Sequence, residues 1–202
     1  MKVVILDHTE NPEYTCAKAM RSTRMSDPAH EFVLGKEDVD RLLRKAKADK
    51  HFGTFEHAYF TVSVSRISRV CTHQLVRHRL FSFMQTSGLV IDPANAEFII
   101  PPSIEDNKEI TESFKESCRR QRDLAVLLEH SGIPREDARF VLPEATSQNI
   151  VISGNARQWM HFLWMRASEG SHAQWEIKEM ARLIHEELKE LAPVIFEEVF
   201  EC

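Results

Sequence analysis

Apolar and polar positions recur along the chain with periods that predict a short set of elements. Val3 to Leu6 is a continuous apolar run and is expected as a short buried strand. Asn11-Pro12 places an N-cap residue before proline at the first helical position, opening a helix toward Met20. Within Glu37 to Ala48, Val39, Leu42, Leu43 and Ala46 recur at helical spacing over a basic outer face. Ala58, Phe60, Val62 and Val64 alternate with Tyr59, Thr61 and Ser63, the pattern of a strand with one core face. Ser65 or Ser68 can cap a following helix to about Leu80, with Ile67, Val70, Cys71, Leu75 and Val76 as its apolar side. From Phe81 to Asn95 the chain is expected as loop, with Met84 as a packing residue. Loops of that length are often functional.

In the second half, Phe98 to Ile100 is a short extended piece stopped by Pro101-Pro102. A long amphipathic helix is predicted from about Glu105 to His130, closed by Gly132 with Pro134 beyond. Pro134 to Phe140 should be one short helix and Asn149 to Ser153 a strand. Gly154-Asn155 then caps a helix through Trp159 and Leu163, broken at Glu169-Gly170-Ser171. A final helix is predicted from about Ala173 to Phe200, with Pro193 kinking it near its end. These elements imply one α+β domain over residues 1–202, helix-rich, with a small and mainly antiparallel sheet.

Composition narrows the class. The 202 residues are 43% hydrophobic and 28% charged, which speaks against disorder, and no apolar run approaches the length of a membrane span. The N-terminal apolar run meets Asp7 too soon for a signal peptide, so a cytoplasmic location is expected. Cys16, Cys71, Cys118 and Cys202 form no CxxC pair and are expected as reduced, mostly structural thiols. A net charge of -5 argues against general nucleic-acid affinity, yet it hides an asymmetry. From His57 to Ile91 there is no Asp or Glu, while Arg66, Arg69, Arg77 and Arg79 fall there with His57, His73 and His78. Positive charge gathered in one stretch of an acidic protein suggests an anion site.

Gln74 and Arg77 are helical neighbours, and Arg77-His78-Arg79 offers cations in different directions. The following Gln85-Thr86-Ser87-Gly88 supplies an amide, hydroxyls and a glycine suited to a phosphate or a base. Metal chemistry finds no HExxH or comparable ligand spacing, and hydrolase chemistry no GxSxG. P-loop and GxGxxG motifs are also missing, so a nucleotide would be held by side chains.

Arg77-His78-Arg79, seven residues, then Ser87-Gly88 resembles the signature of the flavin-dependent thymidylate synthases. The likeness continues in His51 to His57, in Gln74, in Pro134 to Pro143, and in Asn155-Ala156-Arg157, Met165-Arg166-Ala167 and Ala173 to Ile177, and so covers nearly the whole chain. The resemblance implies an α+β homotetramer with FAD at subunit interfaces, NADPH as reductant, and methylenetetrahydrofolate as carbon donor to dUMP, with no metal and no nucleic-acid or membrane partner. Position by position it implies Arg77, His78, Arg79, Glu56, Gly53, Arg166 and His172 as cofactor-binding residues. Gln74, Arg77, Gln85, Thr86, Ser87, Gly88, Leu89, Asn149 and Lys178 become substrate-binding, and Lys178, Ser87 and His51 catalytic.

Several positions depart from the family pattern. Gln85 stands for a glutamate, Leu89 and Asn149 for arginines, Gly53 for a hydroxyl residue, and Lys178 for an arginine whose fork grips planar edges. Arg69 and Arg157 are candidates to compensate for the missing phosphate arginine. Two rivals follow: a paralogue acting on another pyrimidine nucleotide or with another one-carbon outcome such as hydroxymethylation, and a non-catalytic flavin- or nucleotide-binding protein.

Overall fold

The structure is a computed structural model that describes residues 1–88 and 92–198. Its elements run β1 (Lys2–His8), α1 (Pro12–Ser22), α2 (Lys36–Ala48), β2 (Tyr59–Ser68), α3 (Arg69–Leu75), β3 (Ser82–Gln85), α4 (Pro102–Glu105), α5 (Lys108–His130), α6 (Arg135–Ala138), β4 (Ser147–Asn155), α7 (Ala156–Ala167) and α8 (Trp175–Leu191), with short 3-10 turns between some of them. The strands form one sheet in the order β1-β2-β4-β3. Between β2 and β4 the paired residue numbers keep a nearly constant sum, which marks antiparallel register. The Ala156 N–H donates to the Ala58 carbonyl at 2.8 Å, Thr61 Oγ1 meets Ser153 Oγ at 3.0 Å, and the Arg66 N–H donates to Asn149 Oδ1 at 3.3 Å. The architecture is the helix-rich α+β class with a small antiparallel sheet.

The chain packs as two compact units. The helical unit comprises Val3–Val64, His78–Phe83 and residues 151–198. In it α1 packs on α2 and α7 on α8. The alternation expected from Ala58 to Val64 holds fully, since Ala58, Phe60, Val62 and Val64 are all buried without exposure. Trp159 lies in the same core, with its ring 4.5 Å from that of Phe81, and its indole N–H donates to the Phe60 carbonyl at 3.3 Å. Gly154 is required here, because a Cβ would collide with the Phe81 ring. Asn155 caps α7 with a full capping box involving Gln158, as Gly154-Asn155 implied.

The last helix is shorter than predicted. α8 ends at Leu191, and Val194, Ile195 and Phe196 turn inward instead of continuing it. The Glu13 carboxylate accepts the N–H groups of Val194 and Ile195, the Lys47 ammonium donates to the Val194 carbonyl, and His185 Nε2 lies 2.8 Å from the Phe196 carbonyl oxygen. Asn11 occupies the N-cap position of α1, but its side chain makes no capping bond.

The second unit comprises Ser65–Arg77 and Met84–Ile150, with Met1–Lys2. β2 runs on through Ser65, so Ser68 and not Ser65 caps α3, accepting the Cys71 N–H at 3.1 Å. The predicted helix to Leu80 stops at Leu75, leaving Arg77 beyond its end, and Val70 and Val76 are exposed while Ile67, Cys71 and Leu75 are buried. The predicted long helix is present as α5 and starts at Lys108, three residues later than expected, where the Asn107 side chain caps it through the N–H groups of Glu109 and Ile110. Gly132 ends α5 with φ +85°, as its position after the last apolar repeat implied. The one short helix expected at Pro134 to Phe140 is α6 followed by a 3-10 turn, Arg139–Val141. Part of the predicted Phe81–Asn95 loop is β3, and Met84 is exposed instead of packed.

Cys16, Cys71 and Cys118 are buried, and burial pushes Cys16 up to about 12, an inert structural thiol. Cys202 lies outside the described residues. Among the described residues no helix is long and apolar enough to cross a membrane.

Candidate functional site

In the second unit the signature loop is fastened to β4 by its own side chains. Gln85 Nε2 donates to Gln148 Oε1 at 3.0 Å, and both the N–H and the hydroxyl of Thr86 donate to the Asn149 carbonyl, at 2.9 and 3.1 Å. Asn149 is therefore occupied on two sides, its carbonyl by Thr86 and its side-chain oxygen by the Arg66 N–H. These bonds present Ser87 and Gly88 at the surface, and Gly88 lines a cavity of about 220 Å³ with Arg66, Ser147, Gln148 and Asn149 among its walls. Arg66 has φ +61°, an uncommon conformation for a non-glycine residue. It ends the strict alternation of β2, so that Ile67 and Ser68 both turn inward and Arg66 outward. Gln74 is half-buried in the last turn of α3, and Arg77 is exposed just after it. Leu89 lies outside the described residues.

The helical unit holds most of the residues the resemblance assigns to the cofactor. His78 stands edge-on to Phe162, ring centroids 5.0 Å apart, and the Arg166 Nε–H donates to His78 Nε2 at 3.0 Å. That bond makes Nε2 an acceptor and leaves the proton of the neutral ring on Nδ1. Burial first, then the nearby Arg166 and His161, push His78 down to about 4. Arg79 is exposed in the following turn, where the Phe81 N–H closes on the His78 carbonyl at 3.1 Å. His51 is exposed and leads into the 3-10 turn Phe52–His57, where Gly53 faces open space. Glu56 is paired with Arg157, both about half exposed. His172 and Lys178 are exposed, Lys178 in the first turns of α8.

The sequence alone left one neighbour of the loop without a role. The guanidinium of Arg139 lies against Gly88, its Nη1 3.3 Å from where a Cβ would be. Arg139 sits in the family-like segment Pro134 to Pro143, the only signal that could have drawn attention to it.

The low pKa of His78 predicts how stability depends on pH. Its folded-state value lies below its ordinary 6.5, so its contribution is complete above about pH 6.5 and is lost as the pH falls toward about 4. The full shift corresponds to at most ~3 kcal/mol, reduced by solvent at a half-buried ring. Urea unfolding of flavin-free protein is expected to show a smaller loss of stability between pH 7 and pH 4.5 in His78→Gln than in the parent. Equal losses would show that His78 does not titrate in that window.

Residues 4–194 match the family described as Thymidylate synthase complementing protein. A flavin-dependent thymidylate synthase of Pyrococcus furiosus is 36% identical over 193 residues, covering 93% of this chain and 78% of that protein. One from Geobacter sulfurreducens is 36% identical over 192 residues, covering 91% of this chain and 82% of its own. The chain belongs to the flavin-dependent thymidylate synthase family. With that family it is an enzyme of the methyltransferase class. A crystal structure of a UMP/dUMP methylase, PolB from Streptomyces cacaoi bound with 5-Br dUMP, superposes with a TM-score of 0.85 at 25% identity, covering 97% of this chain and 93% of that one.

Proposed function

We propose that the protein methylates the uracil ring of dUMP to give dTMP, taking the carbon from methylenetetrahydrofolate, with FAD reduced by NADPH. The observation that carries this reading is the Arg166–His78 pair: a neutral imidazole from the stretch free of carboxylates and a guanidinium from α7, joined by a 3.0 Å hydrogen bond, with Arg79 next to His78 in the chain. Such a donor set, rich in N–H groups and poor in competing acceptors, fits the diphosphate of a dinucleotide cofactor. When bound, FAD supplies the hydride chemistry.

His78, Arg79 and Arg166 would hold the diphosphate, with Arg77 adding charge. His51, Gly53, Glu56 and His172 would border the flavin, and His51 the folate as well. Gln74, Arg77, Gln85, Thr86, Ser87, Gly88, Leu89 and Asn149 would take the nucleotide. Lys178 would place its ammonium at the uracil edge, stabilising the negative charge that makes C5 nucleophilic. The same reading makes the enzyme a cytoplasmic homotetramer with active sites at subunit interfaces.

A second reading, UMP as acceptor, is favoured by the similarity to a UMP/dUMP methylase. The deciding assay is tritium release from [5-³H]dUMP and [5-³H]UMP with methylenetetrahydrofolate, NADPH and FAD under anaerobic conditions, with products identified by mass. Release from dUMP with dTMP formed is expected. Faster release from UMP selects the second reading, a different product mass selects another one-carbon outcome, and a yellow protein that releases nothing from either overturns both.

A further inference from the structure

We propose that Arg139, in the family-like segment Pro134 to Pro143 but given no role by the resemblance, is the cation that takes the phosphate of the bound nucleotide beside Ser87 and Gly88. The inference rests on the pyrimidine-nucleotide reading above. Arg139 follows α6 directly, and its side chain reaches across to the loop, where Nη1 and Cδ lie 3.3 and 3.4 Å from the Cβ position of Gly88. A Cβ at position 88 would press on the guanidinium, which would have to give by a few tenths of an ångström. Its Nε–H donates to the Glu136 carbonyl at 3.2 Å, and among the described residues no carboxylate pairs with it. The Nε bond orients the fork, and the two terminal nitrogens keep their donors for a ligand.

Other features of the same unit point to an anion. Gly88 lines the cavity of about 220 Å³ whose own cation is Arg66 and whose polar walls include Ser147 and Asn149. Arg66 is less available than Arg139: its Nε lies 3.8 Å from a Glu97 oxygen, both side chains about 70% exposed, a pair that is weak but present. A half-buried guanidinium lacking a counter-charge among the described residues, next to the exposed Ser87 and half-buried Gly88, is suited to a doubly charged phosphate monoester, which it can grip with two parallel hydrogen bonds. A neutral nucleoside offers no such group.

The test compares binding of dUMP and of deoxyuridine to the flavin-loaded protein by calorimetry. In Arg139→Gln the dissociation constant for dUMP is expected to rise roughly tenfold or more, the value of one charge-assisted hydrogen-bonding partner, while deoxyuridine binds as before. Arg139→Lys, which keeps the charge and loses the fork, should fall between the two. Unchanged dUMP binding in Arg139→Gln overturns the proposal and leaves the nucleotide reading standing. So does a loss that appears in Arg66→Gln and not in Arg139→Gln, because the phosphate then belongs to Arg66. Equal weakening of dUMP and deoxyuridine assigns Arg139 to the loop's structure and also overturns it. A parent protein that binds neither ligand removes the nucleotide reading itself, and the proposal with it.

Discussion

Purified Arg79→Ala is expected to be colourless where the parent is yellow, with its fold and thermal stability unchanged. Arg79 is exposed in the turn between α3 and β3, and among the described residues it has no hydrogen-bond or ionic partner. The fold therefore loses no hydrogen bond or ion pair among the described residues when the side chain is cut back. The role proposed for it is different, because a guanidinium facing a phosphate contributes about 1.5 to 3 kcal/mol, or ten- to a hundredfold in affinity. That is enough to release FAD during purification unless the cofactor is resupplied. The alternative is that cations after a helix end merely complement its dipole, worth a few tenths to 1 kcal/mol of stability. The two accounts predict opposite pairs of results. Flavin lost at unchanged stability supports the cofactor role, whereas flavin kept at reduced stability assigns Arg79 to the end of α3. Absorbance at the flavin band and a melting curve on the same sample separate them.

The parts of the fold written into short sequence windows were legible, and those decided by distant partners were not. The alternation from Ala58 to Val64 and the spacing of Val39, Leu42, Leu43 and Ala46 each reflect one element burying one face, and the structure buries all of them. Gly132 and the break at Glu169-Ser171 are local punctuation and were equally plain. β3 was not, because four residues with polar ends carry little periodicity and are held by Gln148 and Asn149, more than sixty positions away. The overlong reading of the last helix has the same origin. Pro193 signals a disturbance, but that Val194 and Ile195 leave the helix depends on a Glu13 carboxylate at the other end of the chain taking their N–H groups.

The site divides in the same way. Arg77-His78-Arg79 and Ser87-Gly88 stand out because their spacing is a pattern, and the acid-free segment around them shows in composition alone. The Arg166–His78 hydrogen bond spans 88 positions, and the whole of α4, α5 and α6 lies between Gly88 and Arg139 in the chain. No window reveals either. Helix periodicity even misled for the first motif: α3 ends at Leu75, so Arg77, His78 and Arg79 are arranged by the turn that follows and not by helical rotation.

Lys178→Ala is expected to keep its flavin, to fold at least as well as the parent, and to lose dTMP formation. Lys178 is exposed near the start of α8, its own N–H bonded to the Gln174 carbonyl at 3.1 Å and its side chain without a partner among the described residues. A cation there opposes the positive end of the helix dipole, so its removal should raise stability by a few tenths of a kcal/mol or leave it unchanged. The helix thus gains nothing from this charge, which directs attention to a ligand. At the uracil edge an ammonium stabilises charge that develops only as C5 becomes nucleophilic, and loss of one such group costs about a hundredfold or more in turnover. Lys178→Arg keeps the charge and adds a fork, so its turnover should stay within about tenfold of the parent. Flavin content, melting temperature and single-turnover product formation, measured on all three proteins, separate a role in the chemistry from one in the fold or the cofactor site. Near-parental turnover in Lys178→Ala would remove the lysine from the chemistry, and loss of flavin with it would move the residue to the cofactor.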